Sequence, residues 1–227
     1  MPNHEEIHKA YISQDESVLK SAGLIALNNA YRLLKKADIY GKVLEMENLD
    51  SEFRKQDKEL NNGVGTFEEN SFKLFEVGVK RSKCYNGFAD DLIMFAAFEQ
   101  YINSCLLRRG FVVHVIDIDK DKSKTKSLGN KQKRKPINIS EVTVGTVFRP
   151  NSLNASLLTS DKYLKLLNPS DTIKRGLESL KSRRNKTHFD SQINSVSYYG
   201  PSFFEAFKFI QNVIKYDHNE CYSVAEL

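Results

Sequence analysis

The spacing of apolar residues predicts that most of the chain is helical. Residues 15–61 are rich in helix-forming residues and lack proline, so we expect them to be helical almost throughout, with Gly41 as a candidate break. The second half of this stretch is very polar, which is typical of an exposed helix. After the turn-forming sequence NNGVG at 61–65, another helix is predicted for residues 66–82.

The next helix, at residues 88–109, carries polar residues on its apolar side. Successive residues of an α-helix are rotated by about 100°, which places Leu92, Ala96 and Leu106 in one stripe. Glu99 and Asn103 fall in the same stripe. A charged residue on a core-facing surface requires a partner, because burying an unpaired charge is very costly. Either Glu99 has such a partner, or this side of the helix opens to water at that point.

The sequence becomes β-rich after Gly110. The segments FVVHVIDID at 111–119 and INISEVTVGTVF at 137–148 contain many β-branched residues in partial alternation, and they predict an inserted β-hairpin over about 110–149. Its tip, residues 120–135, contains seven Lys, one Arg and one Asp, a net charge of +7 in a chain whose total is +5. The remainder therefore carries −2. The tip is either a solvated loop or a contact surface for nucleic acid.

Two further helices are predicted near the C-terminal end. The first lies in residues 168–188, where Pro169 precedes a helix start at Ser170 or Asp171. Its apolar stripe consists of Ile173, Leu177 and Leu180. The last helix begins near Pro201. Its stripe, which we expect to be core, consists of Phe203, Phe207, Ile210 and Ile214.

The composition is that of a folded protein of a reducing compartment. The chain has 227 residues, 40% of them hydrophobic, which is enough for a buried core. Its three cysteines are too few and too scattered for a disulfide framework, and no Cys/His cluster has metal-ligand spacing. Neither a signal peptide nor a membrane span is recognisable. We therefore expect a cytoplasmic protein with no metal, no other cofactor and no membrane partner.

The helix at 168–188 ends in residues suited to phosphodiester chemistry. Its apolar stripe continues to Arg184 and His188, with Arg183 and Asn185 on either side, so all four surround one point only if the helix ends or bends there. Histidine exchanges protons near neutral pH. A guanidinium matches phosphate oxygens with a rigid fork of donors, and an amide holds a hydroxyl or a water. On RNA, such a group would activate the 2′-OH and stabilise the phosphorane.

This pattern resembles the Arg-x4-6-His signature of the HEPN superfamily. Arg183 and His188 have the required spacing on a late helix of a mainly helical chain, and Asn185 lies inside the motif. The resemblance covers about residues 66–217 and rests on this one short motif. It implies a mainly α fold, an antiparallel helical bundle with added N-terminal helices and an inserted β-hairpin.

The resemblance also implies a domain division and an activity. The HEPN-like domain would span residues 66–220, with residues 1–62 as a helical extension. In the superfamily, motif residues of two protomers usually form a metal-independent endoribonuclease site, so we expect a homodimeric hydrolase that cleaves RNA without a cofactor. Many members are toxins of toxin–antitoxin pairs or abortive-infection effectors of phage defence, which implies an antitoxin or another regulatory protein as a partner. Other members are inactive binding modules.

The motif residues carry the roles that this chemistry requires, with departures from the family pattern. His188 would be the general base or acid, and Asn185 would position the attacking group. The asparagine usually follows the motif arginine directly, whereas here Arg184 intervenes. Either Arg183 is the family arginine, by spacing, or Arg184 is the working arginine, by helix geometry. We take Arg183 as the corresponding residue and keep both as candidates for neutralising the phosphate. Glu99 is the candidate for orienting the arginine.

A second match to the motif, RRGFVVH at 108–114, is excluded. It crosses Gly110 into the β-rich segment, so its arginines and His114 would not share a helix face. Residue 190 is Asp rather than the tyrosine that is modified in one variant of the family, so modification by a nucleotidyltransferase is not expected.

The alternative is a non-catalytic helical module that binds nucleic acid or a protein partner. RRNKTH would then be a basic helix C-terminus, which the helix dipole favours by about 0.3–1 kcal/mol per charge. In the ribonuclease the basic tip would contact phosphate groups of RNA, and in the binding module it would contribute to binding of the partner. The residues that we expect to make these contacts are Lys131, Lys133, Arg134 and Lys135.

Overall fold

The computed structural model is mainly α-helical, as the sequence predicts. The residues that it describes are 11, 15–84, 87–117, 123–186 and 201–222. The chain divides into two compact units. The first is drawn from Met1–Tyr31, Ala97–Ser170 and Ile214–Leu227, and the second from Arg32–Ala96 and Asp171–Val213. The domain boundary predicted between residues 62 and 66 falls inside the second unit.

The first two helices are separated at Asp38, and the predicted break at Gly41 is wrong. Helix α1 spans Glu16–Lys36 and helix α2 spans Ile39–Asn61, so Gly41 lies inside α2. Asp38 has a φ of 47°, a left-handed conformation that aspartate tolerates better than most residues. A Cβ at position 41 would lie 3.0 Å from Oδ2 of Asp38, so the glycine leaves room for this side chain in the turn.

Helix α3, Phe67–Cys84, packs against α2 in the second unit, and helix α4 spans Gly87–Arg108. The predicted stripe of α4 is only in part its core side: Leu106 is completely buried, whereas Leu92, Ala96, Glu99 and Asn103 are half-buried. The buried side is rotated by one residue. It includes Asp91, Phe95, Phe98, Ile102 and Cys105. The sequence pattern placed most of the stripe wrongly because α4 has apolar residues on several sides.

The predicted hairpin exists, but its second strand and its tip differ from the prediction. Strand β1, His114–Ile116, pairs antiparallel with β2, Phe148–Ser152. Most of the predicted strand at 137–148 is instead a 3-10 turn at Ile139–Glu141 followed by irregular chain. The expected loop contains helix α5, Ser123–Gln132, which packs against β1.

The C-terminal helices agree with the sequence analysis. After the short helices α6, Ala155–Leu158, and α7, Asp161–Leu164, come α8, Asp171–Lys186, and α9, Pro201–Tyr222. Helix α9 begins at the proline, as predicted. The four residues of its predicted stripe are buried: Phe203, Phe207, Ile210 and Ile214. Among the described residues, none of the helices combines the length and the apolar character needed to cross a membrane.

Candidate functional site at the end of helix α8

Helix α8 is held in place by close packing against α9 in the second unit. Of its predicted stripe, Leu177 and Leu180 are completely buried and Ile173 is half-buried. At Gly176 an added Cβ would lie 2.0 Å from the carbonyl oxygen of Ser202 and 2.5 Å from the Cβ of Ala206. Only glycine allows the two helices to approach this closely, because any side chain would overlap the backbone of α9. The position of α8 is therefore fixed relative to α9.

Two turns beyond Gly176, Arg183 forms an ion pair with a buried carboxylate. Its Nε donates a hydrogen bond of 2.7 Å to Oδ2 of Asp91, which lies in the first turns of α4. The Asp91 side chain is 3% exposed and that of Arg183 is 24% exposed. The guanidinium carbon also lies 5.5 Å from the centroid of the Phe203 ring, within the range of a cation–π contact. Arg183 is thus oriented from two helices at once.

Asp90, the residue before Asp91, contacts a different cation. Its Oδ1 lies 3.0 Å from Nζ of Lys42 on α2, and its side chain is also 3% exposed. The two aspartates are adjacent in sequence but rotated by about 100° on the helix, so each faces another part of the second unit. One carboxylate thereby attaches α4 to α8 and the other attaches it to α2.

The sequence analysis missed Asp91, although a pattern in the sequence points to it. Asp91 precedes Phe95 by one turn and Phe98 by two, and both phenylalanines are buried. An aspartate in a row of core residues needs a partner, which is the reasoning that selected Glu99. Glu99 is half-buried and belongs to the part of α4 in the first unit. Its assignment as the orienting group stays a prediction, and Asp91 is the carboxylate that the structure places on Arg183.

The rest of the motif is described in part. Arg184 and Asn185 belong to α8, but only their backbone is described. His188 and the predicted end or bend of the helix beyond Lys186 lie outside the described residues. Arg183 is therefore the motif residue whose side-chain position is known.

Comparison of the chain with protein-family models, with curated proteins and with solved structures finds no match. Within the described part of the chain, His, Cys, Asp and Glu side chains form no group of three that could hold a metal ion.

The last residues of the basic segment, 131–135, make specific contacts with the rest of the first unit. Nζ of Lys131 forms an ion pair with Glu141, and Nζ of Lys135 lies 3.9 Å from the same carboxylate. Burial raises the pKa of Glu141, but the hydrogen bonds from Lys131 and from the Asn138 backbone, with the charges of the two lysines, lower it overall. Lys133 and Arg134 are exposed. Of the four predicted contacts with RNA, two are thus partly neutralised by Glu141.

Gln132 attaches the end of α5 to the rest of the first unit. Its Nε2 donates to the carbonyl of His114 at 2.8 Å, and its Oε1 accepts from the backbone N–H of Ile116 at 2.9 Å. The backbone carbonyl of Gln132 accepts a hydrogen bond of 2.9 Å from the Tyr163 hydroxyl. The basic residues around Gln132 are therefore presented from a fixed position next to β1.

The exclusion of the second Arg-x4-6-His match is confirmed. Helix α4 ends at Arg108, whose Nη2 donates a hydrogen bond of 2.6 Å to Asp217, whereas Arg109 donates to the carbonyl of Leu166 at 3.1 Å. His114 lies on β1, where its Nδ1 is 2.9 Å from the Tyr11 hydroxyl. These arginines and this histidine belong to separate contacts and do not form one site.

Proposed function

We propose that this protein is a metal-independent endoribonuclease of HEPN type, with its active site at the end of α8. The observation that carries the proposal is the contact of Arg183 with Asp91. An arginine that occupies the first position of an Arg-x4-His motif is held by a buried carboxylate and by an aromatic ring. An arginine fixed before substrate binds stabilises developing negative charge without paying for its own reorientation during the reaction.

The other motif residues supply the remaining chemistry. His188 removes the proton from the ribose 2′-OH, and the oxygen then attacks the adjacent phosphorus. The guanidinium of Arg183, or that of Arg184, stabilises the negative charge of the phosphorane, and Asn185 orients the 2′-OH. Departure of the 5′-oxygen, protonated by an imidazolium, leaves a 2′,3′-cyclic phosphate. The 2′-OH requirement restricts the reaction to RNA.

The basic segment would bind the RNA backbone through contacts with its phosphates. Lys133 and Arg134 are the residues best placed for this role because they are exposed and Glu141 does not contact them. As a homodimeric toxin or phage-defence effector, the protein would be inhibited by an antitoxin or another regulatory protein until it is triggered.

A non-catalytic binding module is the second candidate, and one observation favours it. The Asp91–Arg183 contact is also what a purely structural ion pair between two helices looks like. In that case the exposed Lys133 and Arg134 would bind nucleic acid without cleavage, or the helical surface would bind a protein.

The test is cleavage of a mixed RNA substrate in EDTA by wild type and by His188→Ala, with analysis of the product ends. We expect wild type to leave 2′,3′-cyclic phosphates and His188→Ala to lose at least about 100-fold in rate, because a general base contributes 10²–10⁴-fold. His4→Ala, which changes a histidine outside the motif, is the matched control and should cleave normally. Equal cleavage by wild type and His188→Ala would reject the site, and RNA binding without cleavage by wild type would favour the binding module.

A further inference from the structure

Two cysteines of the first unit belong to a cluster of polar side chains that the proposed cleavage reaction does not use. Tyr101, Cys105 and Arg108 are spaced by four and three residues, so they lie along one side of α4. Asp217 and Cys221 are spaced by four residues and lie along one side of α9. Hydrogen bonds join the two sets, which means that these sides of the helices face each other.

Asp217 contacts α4 on both sides of Cys105. Its Oδ2 accepts a hydrogen bond of 3.1 Å from the Tyr101 hydroxyl and one of 2.6 Å from Nη2 of Arg108. Nη1 of the same guanidinium donates to the sulfur of Cys221 at 3.4 Å. A further hydrogen bond joins the Cys105 thiol and the Tyr101 hydroxyl. Both thiols therefore lie in one hydrogen-bonded cluster, and the charge of Arg108 acts on both.

The surroundings of the three cysteines favour reaction at Cys221. A thiol reacts as its thiolate, which a nearby cation stabilises and which burial or a nearby carboxylate destabilises. Burial raises the pKa of Cys84 to about 11, and its hydrogen bond with Glu45 adds to this effect. Burial also raises the pKa of Cys105, despite the charge of Arg108. Cys221 is half-buried and accepts a hydrogen bond from a guanidinium, an arrangement typical of reactive cysteines.

We propose that Cys221 and Cys105 form a redox-active pair that hydrogen peroxide converts into a disulfide between α9 and α4. In the first step the Cys221 thiolate attacks one peroxide oxygen and the O–O bond breaks. The leaving hydroxide takes up a proton and becomes water, and Cys221 becomes a sulfenic acid. In the second step the sulfur of Cys105 attacks the sulfur of Cys221. The S–S bond forms, the S–O bond breaks, and the hydroxide leaves as water with the proton of the Cys105 thiol. The two thiols lose two electrons in total, which reduce the peroxide to water.

A disulfide is favoured over further oxidation because the sulfenic acid forms in the same cluster as a second thiol. Both cysteines are free in the structure. Closing the bond brings the two sulfur atoms to about 2 Å, so the Arg108 guanidinium must leave the Cys221 sulfur. Arg108 can do so because its side chain is long and 21% exposed. The product is a reversible link between α4 and α9, since thiol reductants open a disulfide by exchange.

The first experiment treats the reduced full chain with hydrogen peroxide and follows the intact mass and the unreduced peptides. We expect the mass to fall by two hydrogen atoms, a pair of peptides joined through Cys105 and Cys221, and reversal by dithiothreitol. Cys84→Ser is the matched control, because Cys84 is also half-buried but lies beside a carboxylate instead of a guanidinium. It should form the disulfide at the rate of wild type.

The second experiment tests the order of the two steps. Cys221→Ser should stay reduced under the same conditions. Cys105→Ala should accumulate the sulfenic acid of Cys221, which is detected by the gain of one oxygen atom and trapped with dimedone. Arg108→Gln should slow the oxidation of Cys221 roughly tenfold, the effect of a change of one unit in the pKa of a thiol. Arg108→Lys keeps the positive charge and should retain most of the rate, whereas a purely structural role of Arg108 would slow both variants equally.

Three results would overturn the inference: equal rates of oxidation at Cys84 and Cys221, oxidation of Cys221 in wild type without a bond to Cys105, or a disulfide between two copies of the chain. In denaturant the three cysteines should react alike, and a preference for Cys221 that persisted there would show that the fold is not its cause. Melting temperatures identify any variant that fails to fold, and the peptides of wild type and Cys84→Ser then decide the pairing. These measurements use no RNA, so their outcome is independent of the proposed nuclease activity.

Discussion

Asp90 and Asp91 are adjacent in the chain, yet their carboxylates contact different cations. Asp91 contacts Arg183 at the proposed active site, whereas Asp90 contacts Lys42 on α2. Both side chains are almost completely buried, so both ion pairs have similar costs of desolvation. Substitutions of the two residues can therefore be compared to distinguish an effect on catalysis from an effect on stability.

We predict that Asp91→Asn lowers the rate of RNA cleavage by roughly 100-fold, the loss that results from a misplaced catalytic group. Both Asp91→Asn and Asp90→Asn should lower the free energy of unfolding by about 1–3 kcal/mol. Asp90→Asn should nevertheless leave the rate of cleavage nearly unchanged. Cleavage rates and urea unfolding of both variants provide the measurement. A parallel loss of activity in the two variants would mean that Asp91 acts through stability alone.

At the scale of elements, the contact between α8 and α9 determines where Arg183 lies. Gly176 allows the backbones to approach, and Leu177 and Leu180 fill the space beside it. Phe203, which contacts Arg183, lies on the first turns of α9. A change in the distance between these helices would therefore alter both the packing and the position of the guanidinium.

Gly176→Ala should destabilise the protein by about 1–3 kcal/mol, because the new methyl group overlaps the Ser202 carbonyl and the helices must separate. The loss should occur even though alanine favours a helix over glycine by up to about 1 kcal/mol. The matched control is Gly78→Ala in α3, where an added Cβ meets no atom within 4 Å. That variant should be as stable as wild type or more stable. Chemical denaturation of both variants is the measurement, and equal stability of the two would contradict the packing argument.

At the scale of the whole molecule, charge is distributed unevenly. Residues 120–135 carry a net charge of +7, while the rest of the chain carries −2. Glu141 offsets part of this charge by contacting Lys131 and Lys135. Deletion of the segment is an unsuitable test of RNA binding because it would also remove Gln132, which holds β1. Substitution of exposed residues avoids that problem.

We predict that Lys133→Gln with Arg134→Gln weakens RNA binding and reduces the slope of log K against log salt by about 1.4, since each contact with single-stranded phosphate contributes about 0.7. Lys20→Gln with Lys36→Gln removes the same charge from exposed positions of α1 and is the control. Fluorescence anisotropy at several salt concentrations measures both. A slope that changes equally in the two variants would show that RNA responds to net charge and not to the basic segment.

The sequence determined those features that depend on local periodicity and on chemically distinctive residues. The mainly helical fold, the start of α9 at Pro201 and the buried stripe of that helix all follow from spacing along the chain. The helix that carries Arg183 was predicted for the same reason. An amphipathic helix with one clear apolar stripe can bury its apolar residues in only one way. The sequence pattern is therefore sufficient to predict which residues of such a helix are buried.

Tertiary structure alone decided which residues those helices bring together. The α4 sequence is apolar on several sides, so periodicity selected Glu99 while the core side contains Asp91. In α3, Phe72 and Phe75 are exposed while Arg81 is buried in an ion pair with Asp50 of α2. The partner of a charged residue lies far away in sequence, 92 residues in the case of Arg183 and Asp91, and no local pattern records that distance.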